Sequence, residues 1–347
     1  MNLRPFALCL LAVACSRATP AGSPAPIALP ALDPPAVQVL LGALAHDSME
    51  GRRTGTPGTA RAARLVAAEF ARAGLVAAGD SGYYQRVPLR LTTDTAGRRR
   101  LVVLRDWAAF DSVPPAERVL EANVVGLVRG SDAALRDEAV LVTAHYDHLG
   151  VGRPVNGDSI YNGADDDASG TIALIGIARA LARGPAPRRT VVFLACTGEE
   201  VGLLGTRWYI AHPVVPLERT VANLNVEMIG RPDTLVGAAK VWLTGFERST
   251  MGETFAAAGL AIVPDARPEM RFFERSDNIA FARRGIPAHT LSTYGLHRDY
   301  HQPSDEADRA DPVHMAAVID AAAQATRLLA DGPAPQWKPG GRPEARP

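Results

Sequence analysis

Lysine is almost missing from this 347-residue chain: Lys240 and Lys338 are the only two, and arginine carries nearly all the positive charge. With the abundance of alanine, that skew reads as codon usage more than function. A surplus of either sign is missing too, since 37 basic residues balance 37 acidic ones. Without a basic excess there is no electrostatic grip on nucleic acid or anionic lipid, so no nucleic-acid partner is expected. Cysteine is scarce. Cys9 and Cys15 fall in the first fifteen residues, leaving Cys196 alone in the body and excluding an intramolecular disulfide framework. Long apolar runs are also absent: Phe6–Ala14 is too short to span a bilayer, and Ile172–Ala182 is broken by Arg179. What remains, 47% hydrophobic and 21% charged residues, suits one large globular α/β domain and excludes wholesale disorder.

The apolar run after Arg4 has the form of a secretory h-region, so residues 1–15 are expected to be a signal segment and the protein exported. Cys15 follows Leu11-Ala12-Val13-Ala14, where a bacterial lipoprotein signal places its acylated cysteine. Ala12 stands where such signals usually carry leucine. Two destinations stay open: a lipidated Cys15 attaching the chain to the cell envelope, or a periplasmic or secreted protein. Residues 16–35, rich in proline and alanine, read as a flexible linker, and 332–347 as a disordered tail. The interval 36–331 shows no repeat and no second linker.

Within it, Thr59–Ala73 reads as an amphipathic helix ended by Gly74, and Tyr84–Leu91, Leu101–Arg105 and Asn123–Val128 as strands. The pattern then alternates. Ala139–Ala144, Thr190–Cys196, Val221–Val226 and Ala288–Ser292 are strand-like; Thr171–Arg183, Leu203–Ala211, Thr250–Ala258, Asn278–Arg284 and Pro312–Ala330 are helical. Apolar strands alternating with helices predict a single-domain α/β/α sandwich around a mixed, largely parallel sheet. Ligands bind such sheets beyond the carboxyl ends of the strands.

Polar residues gather at those ends, in His145-Tyr146-Asp147-His148, Gly163-Ala164-Asp165-Asp166-Asp167-Ala168-Ser169-Gly170, Gly198-Glu199-Glu200, Glu227, and Tyr300-His301-Gln302-Pro303-Ser304-Asp305. Each segment alone has a plain explanation: a core-edge histidine, a solvated turn, charge at a helix N-terminus, a loop hydrogen bond. Glu227 is the exception, because a carboxylate ending an apolar strand is costly unless paired or metal-bound. Together, imidazole and carboxylate groups at five strand ends suit zinc.

In order and local wording these segments resemble the twenty-eighth family of metallopeptidases, the co-catalytic zinc exopeptidases that include bacterial leucyl aminopeptidases and glutamate carboxypeptidase II. The resemblance runs from about Gly51 to Asp305 and is nearly verbatim in the Gly163–Gly170 block. It implies two Zn2+ ions, one on His145, Asp166 and Glu227, the other on Asp166, Glu200 and His301, with Asp166 bridging and a cis peptide after it. It further implies Glu199 as general base, Tyr300 as a donor to the oxyanion, and Asp147 as the partner of His145. The implied activity is removal of N-terminal residues from peptide substrates. Glu227 stands where the best-known aminopeptidases have aspartate, and Asn278 follows Ser276-Asp277 where many relatives have histidine. The interval between Tyr84 and Ala139 is too short for a protease-associated insert. Phe272, Phe273 and Arg275–Asp277 are expected to line the substrate pocket, with plain core packing the alternative for the two phenylalanines. His148, His297 and Asp299 match no ligand position. A single-zinc glutaminyl cyclase and a non-catalytic binding protein on the same scaffold are the alternatives, and the complete ligand set favours neither.

Overall fold

The computed structural model describes residues 31–345, so Phe6–Ala14 and Cys15 lie outside the described residues. The described residues form twelve strands: β1 Val76–Ala77, β2 Tyr84–Thr93, β3 Arg99–Val103, β4 Arg118–Val128, β5 Ala139–His145, β6 Gly150–Val155, β7 Asp158–Tyr161, β8 Thr190–Cys196, β9 Thr220–Val226, β10 Val241–Leu243, β11 Ile262–Pro264 and β12 Ala288–Ser292. The helices are α1 Pro34–Leu44, α2 Pro57–Ala73, α3 Trp107–Ser112, α4 Gly170–Arg183, α5 Leu204–Ala211, α6 Met251–Ala257, α7 Asn278–Arg283 and α8 Pro312–Asp331.

One mixed sheet runs in the order β11-β10-β12-β9-β5-β8-β4-β2-β3, with β1 beside β4, and β6 and β7 make a separate hairpin. The middle is parallel: β12 to β9, β9 to β5 and β5 to β8. β2, β3 and β4 flank it antiparallel. Side-chain alternation sorts each central strand between two layers. Val140, Val142, Ala144, Val191, Phe193 and Ala195 face the core shared with α1, α2, α4 and α8. Leu141, Val192, Leu194 and Cys196 face α5 and α7. Every residue of β5 and β8 is buried, which is why both read as continuous apolar runs. Burying one such Leu, Ile or Val contributes about 1.5–3 kcal/mol.

Pro57 opens α2 and Gly74, left-handed at φ 81°, closes it; Asp311 caps α8 by accepting the Val313 and His314 N–H groups. The expected linker and tail limits shift. Ala31 and Leu32 are buried and Pro34 begins α1, so packing starts before residue 36. The disordered tail expected from Gly332 is not found in the described residues. Trp337 pairs with Ser249, donates its indole N–H to the Gly285 carbonyl at 2.9 Å and meets Phe273 edge-on. A tryptophan ring with both an apolar contact and a satisfied N–H outweighs the proline and glycine around it.

Candidate metal centre

Neighbouring parallel strands bring their carboxyl ends to one edge of the sheet. His145 closes β5, Glu199 and Glu200 follow β8, and Glu227 follows β9. The aspartate run arrives from the segment leading into α4, and its two glycines are required by close approach. A Cβ on Gly163 would lie 2.2 Å from the Asp166 carbonyl oxygen, and one on Gly170 2.3 Å from the Val226 carbonyl oxygen.

The three aspartates diverge. Asp167 Oδ1 accepts the N–H groups of Gly170 (2.9 Å) and Met228 (3.0 Å). Asp165 accepts the Gly230 N–H at 2.6 Å and faces His297 Nε2 at 2.7 Å. Asp166 alone faces both His145 and His301: Oδ1 lies 3.4 Å from His145 Nε2 and Oδ2 lies 3.0 Å from His301 Nε2. The peptide after it is cis. Asp305 fixes the run from outside, its Oδ2 accepting the Asp165 and Asp166 N–H groups, each at 3.0 Å, while Arg231 bonds both Asp305 and Asp299. His297 and Asp299, given no role from the sequence, are thus anchors of this loop system.

Two ligand triads result. His145, Asp166 and Glu227 can each offer an atom within 4.8 Å of the others, and so can His148, Asp166 and Glu200. His301 Nε2 also lies 3.3 Å from Glu200 Oε2. His148, which matched no ligand position in the sequence, therefore belongs to this cluster, its Nδ1 2.8 Å from Glu200 Oε1. Only a fold that places the loop after β8 beside it could reveal that. Asp147 differs in detail from its expected role. His145 Nδ1 sits 3.2 Å from the Asp147 backbone carbonyl and 3.8 Å from its carboxylate. The carboxylate instead accepts the Glu199 N–H at 3.1 Å and the Thr54 hydroxyl at 3.0 Å.

The charge balance calls for a cation. Asp147, Asp166, Glu199, Glu200 and Glu227 crowd together, yet among the described residues no lysine or arginine ion-pairs with any of them. Burial raises Glu227 to about 7 and holds Glu199 well above the usual carboxylate range, the His145 charge opposing both. Burial also acts to raise Asp166, but contacts with His145 and His301 hold it far below its ordinary value. His301 shows the converse: burial opposes its charge, and Asp166 and Glu200 raise it to about 10.

Dications fit these groups. His145 Nε2, His148 Nε2, His301 Nε2 and Glu227 Oε2 are all buried without a hydrogen-bond partner. Two ligands on one tetrahedral zinc, each at about 2.0–2.1 Å, lie about 3.3 Å apart, close to the His145–Asp166 and His301–Glu200 separations. Tyr300 stacks on His301 with centroids 3.9 Å apart. Beside Glu227 opens a pocket walled by Trp242, Phe272, Arg275, Tyr294 and Tyr300. The two phenylalanines divide: Phe272 stacks on Trp242 in this wall, whereas Phe273 packs in the core with α7.

Comparison with known proteins gives the fold and the family. A vacuolar membrane protease of Clavispora lusitaniae is 34% identical over 125 residues, covering 36% of this chain and 11% of that protein. Aminopeptidase YwaD of Bacillus subtilis is 26% identical over 184 residues, 45% of this chain and 39% of its own length. The chain thus matches well under half of either relative. In fold, an aminopeptidase from Aneurinibacillus sp. strain AM-1 superposes with a TM-score of 0.61 at 15% identity, over 87% of this chain and 94% of that one. Residues 123–326, more than half of the sequence and the whole span from His145 to His301, match the pattern of peptidase family M28. The chain belongs to peptidase family M28.

Proposed function

We propose that this protein is a zinc-dependent exopeptidase, an aminopeptidase that hydrolyses the N-terminal peptide bond of its substrates at a two-zinc centre. The observation that carries the reading is Asp166, whose two oxygens face opposite imidazoles, Oδ1 toward His145 and Oδ2 toward His301. A carboxylate so placed is the anionic bridge that two dications need to sit close together. His145, Asp166 and Glu227 would hold one ion, and Asp166, Glu200 and His301 the other, with His148 steadying Glu200. The relatives' names, an aminopeptidase and a protease, point the same way.

Bound zinc supplies Lewis acidity, polarising the scissile carbonyl and lowering the pKa of the attacking water. Glu199 takes the proton that water loses and passes it to the departing amine. Its backbone is pinned by Asp147, which leaves the carboxylate free for that exchange. Tyr300, half-buried beside the pocket, offers its phenolic O–H to the oxyanion. The Trp242 and Phe272 wall receives the side chain next to the scissile bond, and excludes water there.

Aminoacyl anilides tested beside N-blocked peptides, with and without chelator, test the assignment. Chelator-sensitive release only from substrates with a free α-amine is expected; release only from blocked peptides with a free C-terminus would make it a carboxypeptidase. We further propose that the protein acts outside the cytoplasm, on the strength of Phe6–Ala14. If Cys15 carries lipid, Cys15→Ser moves the full-length protein from the detergent to the aqueous phase. A form that is aqueous before the change would indicate an ordinary secretory signal.

A further inference from the structure

Glu121 is buried in β4, outside both triads and the proton path. Its Oε1 accepts the Gly55 N–H at 2.6 Å and its Oε2 the Thr197 hydroxyl at 3.2 Å. Among the described residues no arginine or lysine ion-pairs with it, and Asp147 and Tyr146 are the titratable neighbours that feel its charge. Burial pushes Glu121 up to about 7 although the Gly55, Thr197 and Thr59 groups that face it favour the ionised form. An unpaired carboxyl in such a place is costly, so its two acceptors must do something an apolar side chain could not.

Both donors lead to Glu199. Thr54, next to Gly55, donates to Asp147 Oδ2, and Asp147 Oδ1 accepts the Glu199 N–H. Thr197 lies two residues before Glu199 on the turn that follows β8. The bonds therefore close a ring: Thr54–Gly55, Glu121, Thr197 through Glu199, Asp147, and back to Thr54. Glu200 on the same turn is held separately, by His148. The ring thus serves Glu199 and leaves the metal ligand beside it to another support.

We propose that Glu121 is a positioning residue for Glu199, clamping the turn after β8 to the Thr54–Gly55 loop so that the base is held in register with the attacking water. The proposal rests on the reading of Glu199 as general base. Its test compares Glu121→Ala, Glu121→Gln and Thr197→Val, each alone and combined with Glu199→Gln. Losing an outer partner of this kind typically costs ~10–100-fold, and Glu121→Ala should lower kcat by about that factor with KM and zinc content unchanged. Glu121→Gln can accept from Gly55 and donate to the Thr197 oxygen, so it should restore turnover to near wild type. Thr197→Val keeps the shape, and should reproduce part of the loss should Glu121→Ala fold poorly. With Glu199→Gln present, Glu121→Ala should cost nothing more, because a residue that acts through Glu199 has nothing left to position. An undiminished loss in that background would overturn the proposal, as would a rise in KM or a fall in metal content with kcat unchanged. Amide exchange of the 197–203 segment reads the ring without activity: faster in Glu121→Ala, unchanged in Glu121→Gln. Equal exchange in all three proteins would overturn the ring. Near-normal turnover of Glu199→Gln itself would instead overturn the base, leaving the exchange result to decide the clamp.

Discussion

The two halves of the candidate centre are built differently. The His145 side rests on the ends of β5 and β9, in the parallel middle of the sheet, and the His145 side chain is only 1% exposed. The His301 side is assembled from the turn after β8 and a loop after β12, and the His301 side chain is 34% exposed. Strand ends are fixed by the packed core beneath them, whereas loops are held by a few hydrogen bonds each. On the proposed two-zinc reading, one fold would thus hold a rigid and a yielding metal position on either side of Asp166.

Removing the bridge should abolish the difference altogether, and it carries the largest expected effect. Asp166→Asn leaves two dications without an anion between them, so zinc content should fall in both halves and turnover drop to background. The same change at Asp165 should be milder, since Asp165 bonds Gly230 and His297 rather than the triad imidazoles. Next comes the base. Glu199→Gln keeps both halves intact and should retain both zinc ions while losing ~10²–10⁴ in turnover. Glu200→Gln should lose one zinc first and activity as a consequence. Metal analysis and turnover on both proteins check this pair, and swapped results would exchange the roles of the two glutamates. Smaller still is the graded response to ligand removal. His301→Ala should release the exposed half's zinc and leave the other, with affinity weakened by more than the ~10–100-fold that even outer partners typically cost.

Acidification offers a milder separation of metal and core. His289, buried in β12 with its Nε2 2.8 Å from the Ser249 hydroxyl, is lowered by burial to about 4. Below pH 6.5 the unfolded chain takes up a proton there that the folded chain refuses, so the contribution of His289 to stability falls as pH drops from 6.5 toward 4, opposite in sign to that of the raised carboxyls Glu121 and Glu227. The loss is about 3 kcal/mol, and it should be the same with or without zinc. Any additional loss confined to the zinc-loaded protein reports ligand imidazoles releasing metal. Thermal unfolding of wild type and His289→Gln at several pH values, loaded and stripped, separates the two; an acid response identical in both proteins would contradict the His289 contribution.

Much of the fold and of the centre is legible in the residue pattern. Thr190–Cys196 and Ala288–Ser292 are strands at the limits their apolar runs suggest, because every residue in them is buried. All five expected ligands come together: His145, Glu200 and Glu227 stand at or just beyond strands and Asp166 just ahead of α4, whereas His301 lies in the loop that follows β12. The omissions share a cause. β10 and β11 have three residues each, too few to show a period, and the β6–β7 hairpin is mostly exposed. His148, Thr54 and Glu121 owe their places to partners 52, 93 and 66 residues away. No local pattern encodes such pairings. Trp337 is hidden for the opposite reason, a single packed ring in a stretch of disordered composition.

The most direct test is stepwise chelation of the purified protein, with zinc content and turnover followed together. Two zinc ions per chain are expected, the first leaving readily with most of the activity and the second only at much higher chelator. In Asp166→Asn both steps should disappear. A single zinc in the wild-type protein, or two zinc ions and native turnover in Asp166→Asn, would contradict a centre bridged by Asp166.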